Sequence, residues 1–442
     1  MFTKQQTILR DLGNCLIMRR AVPEDADALG EFNGNIHGED ELDRLGVIAW
    51  TRDLLTRPHA TLKPGDFTIV EETSTGRIVS SLNLIPQTWT YEGIEFGVGR
   101  PELVGTLPEF RGRGLVRAQF DEVHKWSAER GHLVQGITGI PYYYRQFGYE
   151  FALNLGGWRM GSIVPKLKDG ENEKYLIRLA EESDIPLLMS VYEHGCKRSM
   201  ISAQWTAVHW HNNLFELGDA NFHRLHFHII ERSGSRQPVG YFAYSWFLGS
   251  TGVRAFHFEL ADGVSWLEVS PCVVRYMWDV GQEYAREANR SCTTFSFLMG
   301  AEHPVYDALG NTLSRVSSPY SWYLRVPDLL GFLNHIKPVL EKRLAESVAS
   351  GHTGEYLIGM YPKGIKLILE NGHITFDHWK PDHADHGNAG FPMLTFTQIL
   401  FGYRSFEELK HAFPDCWWAD ENIRILVNAL FPKKNSNVYG IV

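Results

Sequence analysis

Cysteine is scarce and dispersed. Cys15, Cys196, Cys272, Cys292 and Cys416 form an odd set with no close pair, which argues against a disulfide framework or a zinc site and for a reducing compartment. No apolar run approaches the roughly 20 residues of a membrane-spanning helix. The first six residues, Met-Phe-Thr-Lys-Gln-Gln, lack the basic-then-apolar layout of a secretory leader. A cytoplasmic protein with no membrane partner is the expectation. Basic charge is also in deficit: 43 Lys and Arg face 52 Asp and Glu, giving a net charge of −9. That balance argues against nucleic acid as a partner and suits a cationic one.

What is present describes an ordered globular chain. Its 442 residues are 44% hydrophobic and 21% charged, and the length suggests about three domains. The chain is organised around residues 104–117, Val-Gly-Thr-Leu-Pro-Glu-Phe-Arg-Gly-Arg-Gly-Leu-Val-Arg. An apolar strand (102–106) ends at a proline turn, passes a basic glycine-containing loop and enters a helical pattern that reaches Arg130. The first amides of a helix lack intrahelical partners and carry partial positive charge, so such a junction can receive a pyrophosphate. Gly112 and Gly114 let the backbone approach, and Arg111, Arg113 and Arg117 add charge. No Gly-Lys-Ser/Thr ending follows, against a nucleoside triphosphatase loop, and no third glycine completes a dinucleotide fingerprint.

Around that loop the pattern reads as a strand at 16–20, helices from Pro23 to Phe32 and up to Leu55, and a hairpin of 67–71 with 77–84. The helix after the loop carries Val116, Phe120, Val123 and Trp126 on one face, and a strand at 133–140 delivers the chain to Tyr144. Residues 164–174 read as a linker. The pattern then starts again: Ile177-Arg178-Leu179-Ala180 with Asp184 echoes Met18-Arg19-Arg20-Ala21 with Asp25, and Tyr306 to Gly310 echoes Tyr144 to Gly148, both about 160 residues on. Where the basic loop should recur, residues 267–275 carry no glycine and one arginine. From Pro327 the pattern changes to one helix through Leu329, Leu333, Ile336, Leu340 and Leu344, and a hairpin turning at Asn371-Gly372. Capping boxes at Thr395/Gln398 and Ser405/Glu408 and a last helix from Glu421 to Leu430 follow.

Arg111-Gly112-Arg113-Gly114-Leu115-Val116 resembles motif A of the GNAT acetyltransferases, and Tyr144-Arg145-Gln146-Phe147-Gly148-Tyr149 resembles their Tyr-x-x-Phe/Leu-Gly-Phe/Tyr segment. Over its whole length the chain resembles the GNAT family related to the enhanced intracellular survival protein. The resemblance implies an α/β (α+β) fold: a catalytic GNAT domain (1–165), a degenerate GNAT-like domain (175–326) and a sterol carrier protein-like α+β domain (327–442). It implies acetyl-coenzyme A as co-substrate and a small amine or a lysine-containing substrate as acceptor. Val104, Gly105 and Thr106 would pair with the pantetheine arm, residues Arg111, Gly112, Arg113, Gly114, Leu115, Val116 and Arg117 would hold the pyrophosphate, and Gly139 and Ile140 would lie along the cofactor. Tyr144 would be the general acid and the C-terminal carboxylate of Val442 the general base. A homo-oligomer, a hexamer in relatives, is expected. A non-catalytic carrier of acyl-coenzyme A or lipid is the alternative.

Two polar clusters complete the reading. The acidic stretch with Glu39, Asp40, Glu41 and Asp43 is a candidate amine-recognition patch, competing with a plain solvated surface. Asp377, His378, Asp382, His383, Asp385 and His386 have metal-ligand composition, but their mixed spacing in a loop makes no metal the expectation. His226 and His228 share a strand face and read as structural.

Overall fold

The computed structural model describes residues 7–382 and 386–441. The chain starts one strand earlier than its pattern indicates, with β1 (Ile8–Gly13) paired to β2 (Leu16–Arg20). A proline-initiated turn leads into α1 (Ala26–His37) and α2 (Glu41–Thr56). Three antiparallel strands follow: β3 (Phe67–Glu72), β4 (Arg77–Tyr91) and β5 (Ile94–Thr106). The last two far exceed the expected 77–84 and 102–106. Their outer half contains polar residues such as Gln87 and Thr90, which are buried by distant parts of the chain and so hide the alternation. Next come α3 (Leu115–Glu129), β6 (Val134–Ile137) and β7 (Glu150–Leu155).

The middle of the chain contains β8 (Trp158–Gly161), β9 (Tyr175–Leu179), α4 (Ile185–Cys196), β10 (Ile201–Ala203), α5 (Ala207–His211), β11 (Leu225–Arg232), β12 (Pro238–Ser245) and β13 (Gly252–Leu260). It continues with α6 (Trp266–Glu287), β14 (Thr294–Phe297), α7 (Pro304–Leu309), β15 (Arg315–Ser317) and β16 (Tyr320–Arg325). Two sheets result, and each receives a strand from the other stretch of sequence. The first runs β1-β2-β3-β4-β5-β6-β16-β7, with β10 on β4, and the second runs β15-β8-β14-β13-β12-β11-β9. Residues 267–275 form the first turns of α6 rather than a loop.

An ion-pair constellation recurs at the start of both sheets. Arg19 grips Asp25 through both terminal nitrogens at 2.8 and 2.9 Å and reaches Glu71 with Nε at 2.7 Å. Arg178 grips Asp184 at 2.6 and 2.8 Å and reaches Glu231 with Nε at 2.6 Å. In both places the aspartate also accepts a backbone N–H, from Val22 and from Glu181, at 2.8 Å. Bidentate arginine–carboxylate geometry explains why these residue types return together.

The remainder builds a third sheet, with α8 (Leu329–His335), α9 (Lys337–Ala345), β17 (Gly354–Met360), β18 (Lys363–Glu370), β19 (His373–Trp379), β20 (Ala389–Gly390), α10 (Phe396–Leu400), α11 (Phe406–Ala412), β21 (Trp417–Trp418) and α12 (Glu421–Leu430). The single helix expected over 329–344 breaks at Ile336, because Pro338 begins a new helix at its own first turn. Asn371 and Gly372 turn the β18–β19 hairpin with φ of +51° and +83°, as an Asn-Gly turn requires. The Ser405/Glu408 capping box forms, whereas the Thr395 hydroxyl binds the Pro392 carbonyl instead of capping α10. After α12, residues 432–441 run without regular structure back to the first sheet.

Candidate active site

Parallel strands β5 and β6 are paired only at Val98–Val134 and Gly99–Gln135, after which they part. The gap opens into a cleft of about 880 Å³. Val104, Gly105 and Thr106 form one wall, and Gly139 and Ile140, just beyond β6, form the other. A bulge at Leu103, with φ of +52°, shifts the β4–β5 register between Asn83–Glu102 and Ser81–Gly105. The end of β5 is braced from behind: the Ser80 hydroxyl lies 2.8 Å from the Gly105 carbonyl oxygen and 2.6 Å from Gln119 Oε1 on α3. On the opposite wall the hydroxyls of Tyr320 and Tyr323 donate to the carbonyls of Gly139 and Ile140 at 3.2 and 3.1 Å. Strand β16 thus holds a wall of a cleft built from much earlier sequence.

The basic loop lies along the same cleft. Gly112 and Gly114 have φ of +75° and +77°, backbone that any side chain would strain. Gly114 is the N-cap of α3 and offers no side-chain cap, so the first-turn amides of Leu115, Val116 and Arg117 keep their donors for a ligand. Arg111 Nε donates to the Thr106 carbonyl at 3.3 Å, and Arg117 donates to Gln146 Oε1 at 2.8 Å while lying over Phe147. Arg111, Gly112, Gly114 and Leu115 to Arg117 all line the cleft. Arg113 does not: its guanidinium stacks over Phe110 at 4.7 Å and donates to the Glu109 carbonyl at 3.1 Å.

Tyr144 also faces this space, 4% exposed and packed edge-on against Tyr143 and Tyr323. A Cβ placed on Gly139 would lie 3.3 Å from its hydroxyl oxygen. Burial, followed by the negative charge of Glu102, raises its pKa well above the usual phenol value, so the group is protonated at neutral pH. The echoed Tyr306 has a different fate. Its hydroxyl donates toward the carbonyls of Phe297 and Gly300 and accepts from the Met299 amide, all within 3.2 Å.

Two cleft residues carry no motif signal. Glu102 forms a 2.5 Å ion pair with Arg100. His37, the last residue of α1, has a buried Nε2 with no hydrogen-bond partner among the described residues. Burial lowers its pKa, with Glu102 acting in the opposite direction. A lone acid in a strand and a helix-end histidine give no pattern to search for.

The other expected residues lie elsewhere. Glu39 is exposed and Asp40 caps α2, accepting from the Asp43 amide at 2.9 Å; neither lines the cleft. Among the described residues no three His, Cys, Asp or Glu side chains gather as metal ligands, and His383 and Asp385 lie outside that set. Val442 lies outside it too. The preceding residues are firmly held: the Ile441 carbonyl accepts from Gln87 Nε2 and Arg100 Nη1, both at 2.8 Å, and the Tyr439 carbonyl accepts from Trp205 at 3.1 Å.

Residues 48–152 match the Acetyltransferase (GNAT) domain family. The matched stretch contains the basic loop, Val104 to Thr106, Gly139, Ile140 and Tyr144, but not His37. Solved structures extend the likeness to the whole chain as one of fold. A GCN5-related N-acetyltransferase from Anabaena variabilis is 13% identical, with TM-score 0.64 over 96% of this chain and 99% of that one. A conserved protein of unknown function from Enterococcus faecalis, described as a probable N-acyltransferase, is 14% identical with TM-score 0.65 over 97% and 100%. Eis1 from Mycobacterium abscessus is 13% identical with TM-score 0.56 over 98% of both chains. No curated protein sequence matches. Among the described residues no helix is long and apolar enough to cross a membrane.

Proposed function

We propose that the chain is an acetyl-coenzyme A-dependent N-acetyltransferase that passes acetyl directly from sulfur to a primary amine. One observation carries this reading: the anion-suited loop of Arg111 to Arg117 and the buried phenol of Tyr144, both within the stretch that matches the GNAT domain family, open into a single cleft. The amides at the start of α3, with Arg111 and Arg117, suit a pyrophosphate. The edge of β5 that β6 leaves unpaired suits the amide-bearing pantetheine arm. The thioester then reaches Tyr144, whose proton goes to the departing thiolate. The terminal carboxylate of Val442 takes the ammonium proton before attack, and the anchoring of Ile441 beside Arg100 and Glu102 supports that role. Positioning of the two reactants supplies most of the acceleration.

The acceptor is a small amine or a lysine-bearing substrate, and the net negative charge favours a cation. The same reading includes a cytoplasmic homo-oligomer and a sterol carrier protein-like unit over 327–442; the whole-length likeness to Eis1 in fold supports the organisation. The test is thiol release from acetyl-coenzyme A across an amine panel. Turnover with an amine, dependent on Tyr144, supports the enzyme. No turnover with any amine, together with tight acyl-coenzyme A or lipid binding, replaces it with a carrier.

A further inference from the structure

The amine nitrogen loses two protons on the way from ammonium to amide, and the tail carboxylate accounts for one. His37 is placed for the other. It lines the cleft that holds Val104, Gly105 and Tyr144, and its neighbour Ile36 rests on the strand that would carry the pantetheine: a Cβ on Gly105 would lie 2.9 Å from Ile36 Cγ2. Its Nε2 is buried without a partner among the described residues. A buried imidazole nitrogen left unsatisfied is costly, so its orientation calls for a ligand. Glu102 lines the same cleft as His37 and Tyr144, and its negative charge acts on both the imidazole and the phenol.

The other ionisable groups around His37 are accounted for. Glu31 on its own helix and Glu41 on α2 are both paired with Arg44 at 3.0 and 2.9 Å. Glu39 and Asp40 follow in the exposed loop. From β5 come Glu102 and the Arg100 paired with it at 2.5 Å, and across the cleft stand the phenols of Tyr143 and Tyr144. The imidazole is neutral at neutral pH, the form that accepts a proton.

Resting on the acetyl-transfer reading, we propose that His37 accepts the proton still carried by the amine nitrogen once it has bonded to the acetyl carbon, and that Glu102 stabilises the imidazolium formed. The nitrogen lone pair makes the C–N bond while the carbonyl pair moves to oxygen. The cationic nitrogen gives a proton to Nε2. The carbonyl re-forms, the C–S bond breaks, and the thiolate takes the Tyr144 proton. The proton on His37 then restores Tyr144. Amide and thiol leave, and the only proton released is the one shed by the ammonium before attack.

The experiment compares pH profiles of kcat for the full-length protein, His37→Gln and Glu102→Gln, with coenzyme A affinity and melting temperature measured alongside. His37→Gln is expected to lower kcat roughly 100-fold, leave coenzyme A affinity within about twofold, and abolish the acidic inflection. Glu102→Gln is expected to move that inflection to lower pH, because the anion favouring the imidazolium is gone. An unchanged kcat and inflection in His37→Gln, beside an active parent, overturns the role of His37 alone. A parent that neither binds coenzyme A nor acetylates any amine removes the underlying reading with it.

Discussion

The Tyr439 ring stacks on the His257 imidazole with centroids 4.1 Å apart, in the part of the second sheet where β13 and β14 have separated beyond Ala255–Phe297. Its hydroxyl donates to Met299 Sδ at 3.3 Å, and Asn437 packs so closely on Gly300 that a Cβ there would lie 3.1 Å from it. The gap that is an open cleft in the first sheet is filled in the second by the end of the chain. Tyr439→Ala should therefore leave a cavity costing about 3–5 kcal/mol. Calorimetry is expected to show a clear fall in melting temperature, and kinetics a lower kcat with coenzyme A affinity unchanged.

The tail's final residues are expected to matter to chemistry more than to folding. Deleting Ile441 and Val442 removes the carbonyl held by Gln87 and Arg100 and the terminal carboxylate. Turnover should fall by on the order of 100-fold. A truncated protein with parental kcat dismisses the terminal base.

Tyr144→Phe keeps the ring packing and removes only the acid. The expected result is a kcat reduced by on the order of 100-fold with KM for acetyl-coenzyme A almost unaltered, the signature of a group used in the transition state. Because its pKa is raised, the parent should show no loss of this group across the neutral range.

The three loop arginines should separate. Arg111→Ala and Arg117→Ala each remove a charged donor from the cleft wall and should raise the Kd for coenzyme A by about tenfold or more. Arg113→Ala removes a side chain that faces Phe110 and Glu109 and should leave the Kd within about threefold. Titration calorimetry at two salt concentrations distinguishes them, since the first two losses should shrink at high salt.

Asp184 supplies a pH-dependent contribution to stability. Burial pushes its pKa up, but the Arg178 fork prevails and the carboxyl sits below its usual value. A folded-state pKa below the unfolded one stabilises above the unfolded value, and that gain disappears as pH falls through the folded value. Arg178→Met should lower stability by about 1–3 kcal/mol at pH 7, tempered by the partial exposure of the guanidinium. The gap between parent and variant should close below about pH 4, as followed by melting temperature against pH.

Much of the molecule is legible along the chain because it depends on neighbours in sequence. Gly112, Gly114 and the Asn371-Gly372 turn follow from which residues tolerate positive φ. The α12 boundaries follow from an aspartate cap and apolar periodicity. The repeated Arg-Asp pairs at 19/25 and 178/184 are visible as letters because each pair closes over one strand end and one turn. Tertiary structure alone decided the rest. It exchanged β8 and β16 between sheets, turned Arg113 out of the cleft, drew Tyr439 into the second gap and brought His37 and Glu102 to one cleft. These outcomes depend on which buried surfaces and unpaired polar groups meet after the chain has folded back, and no local pattern of residues records that.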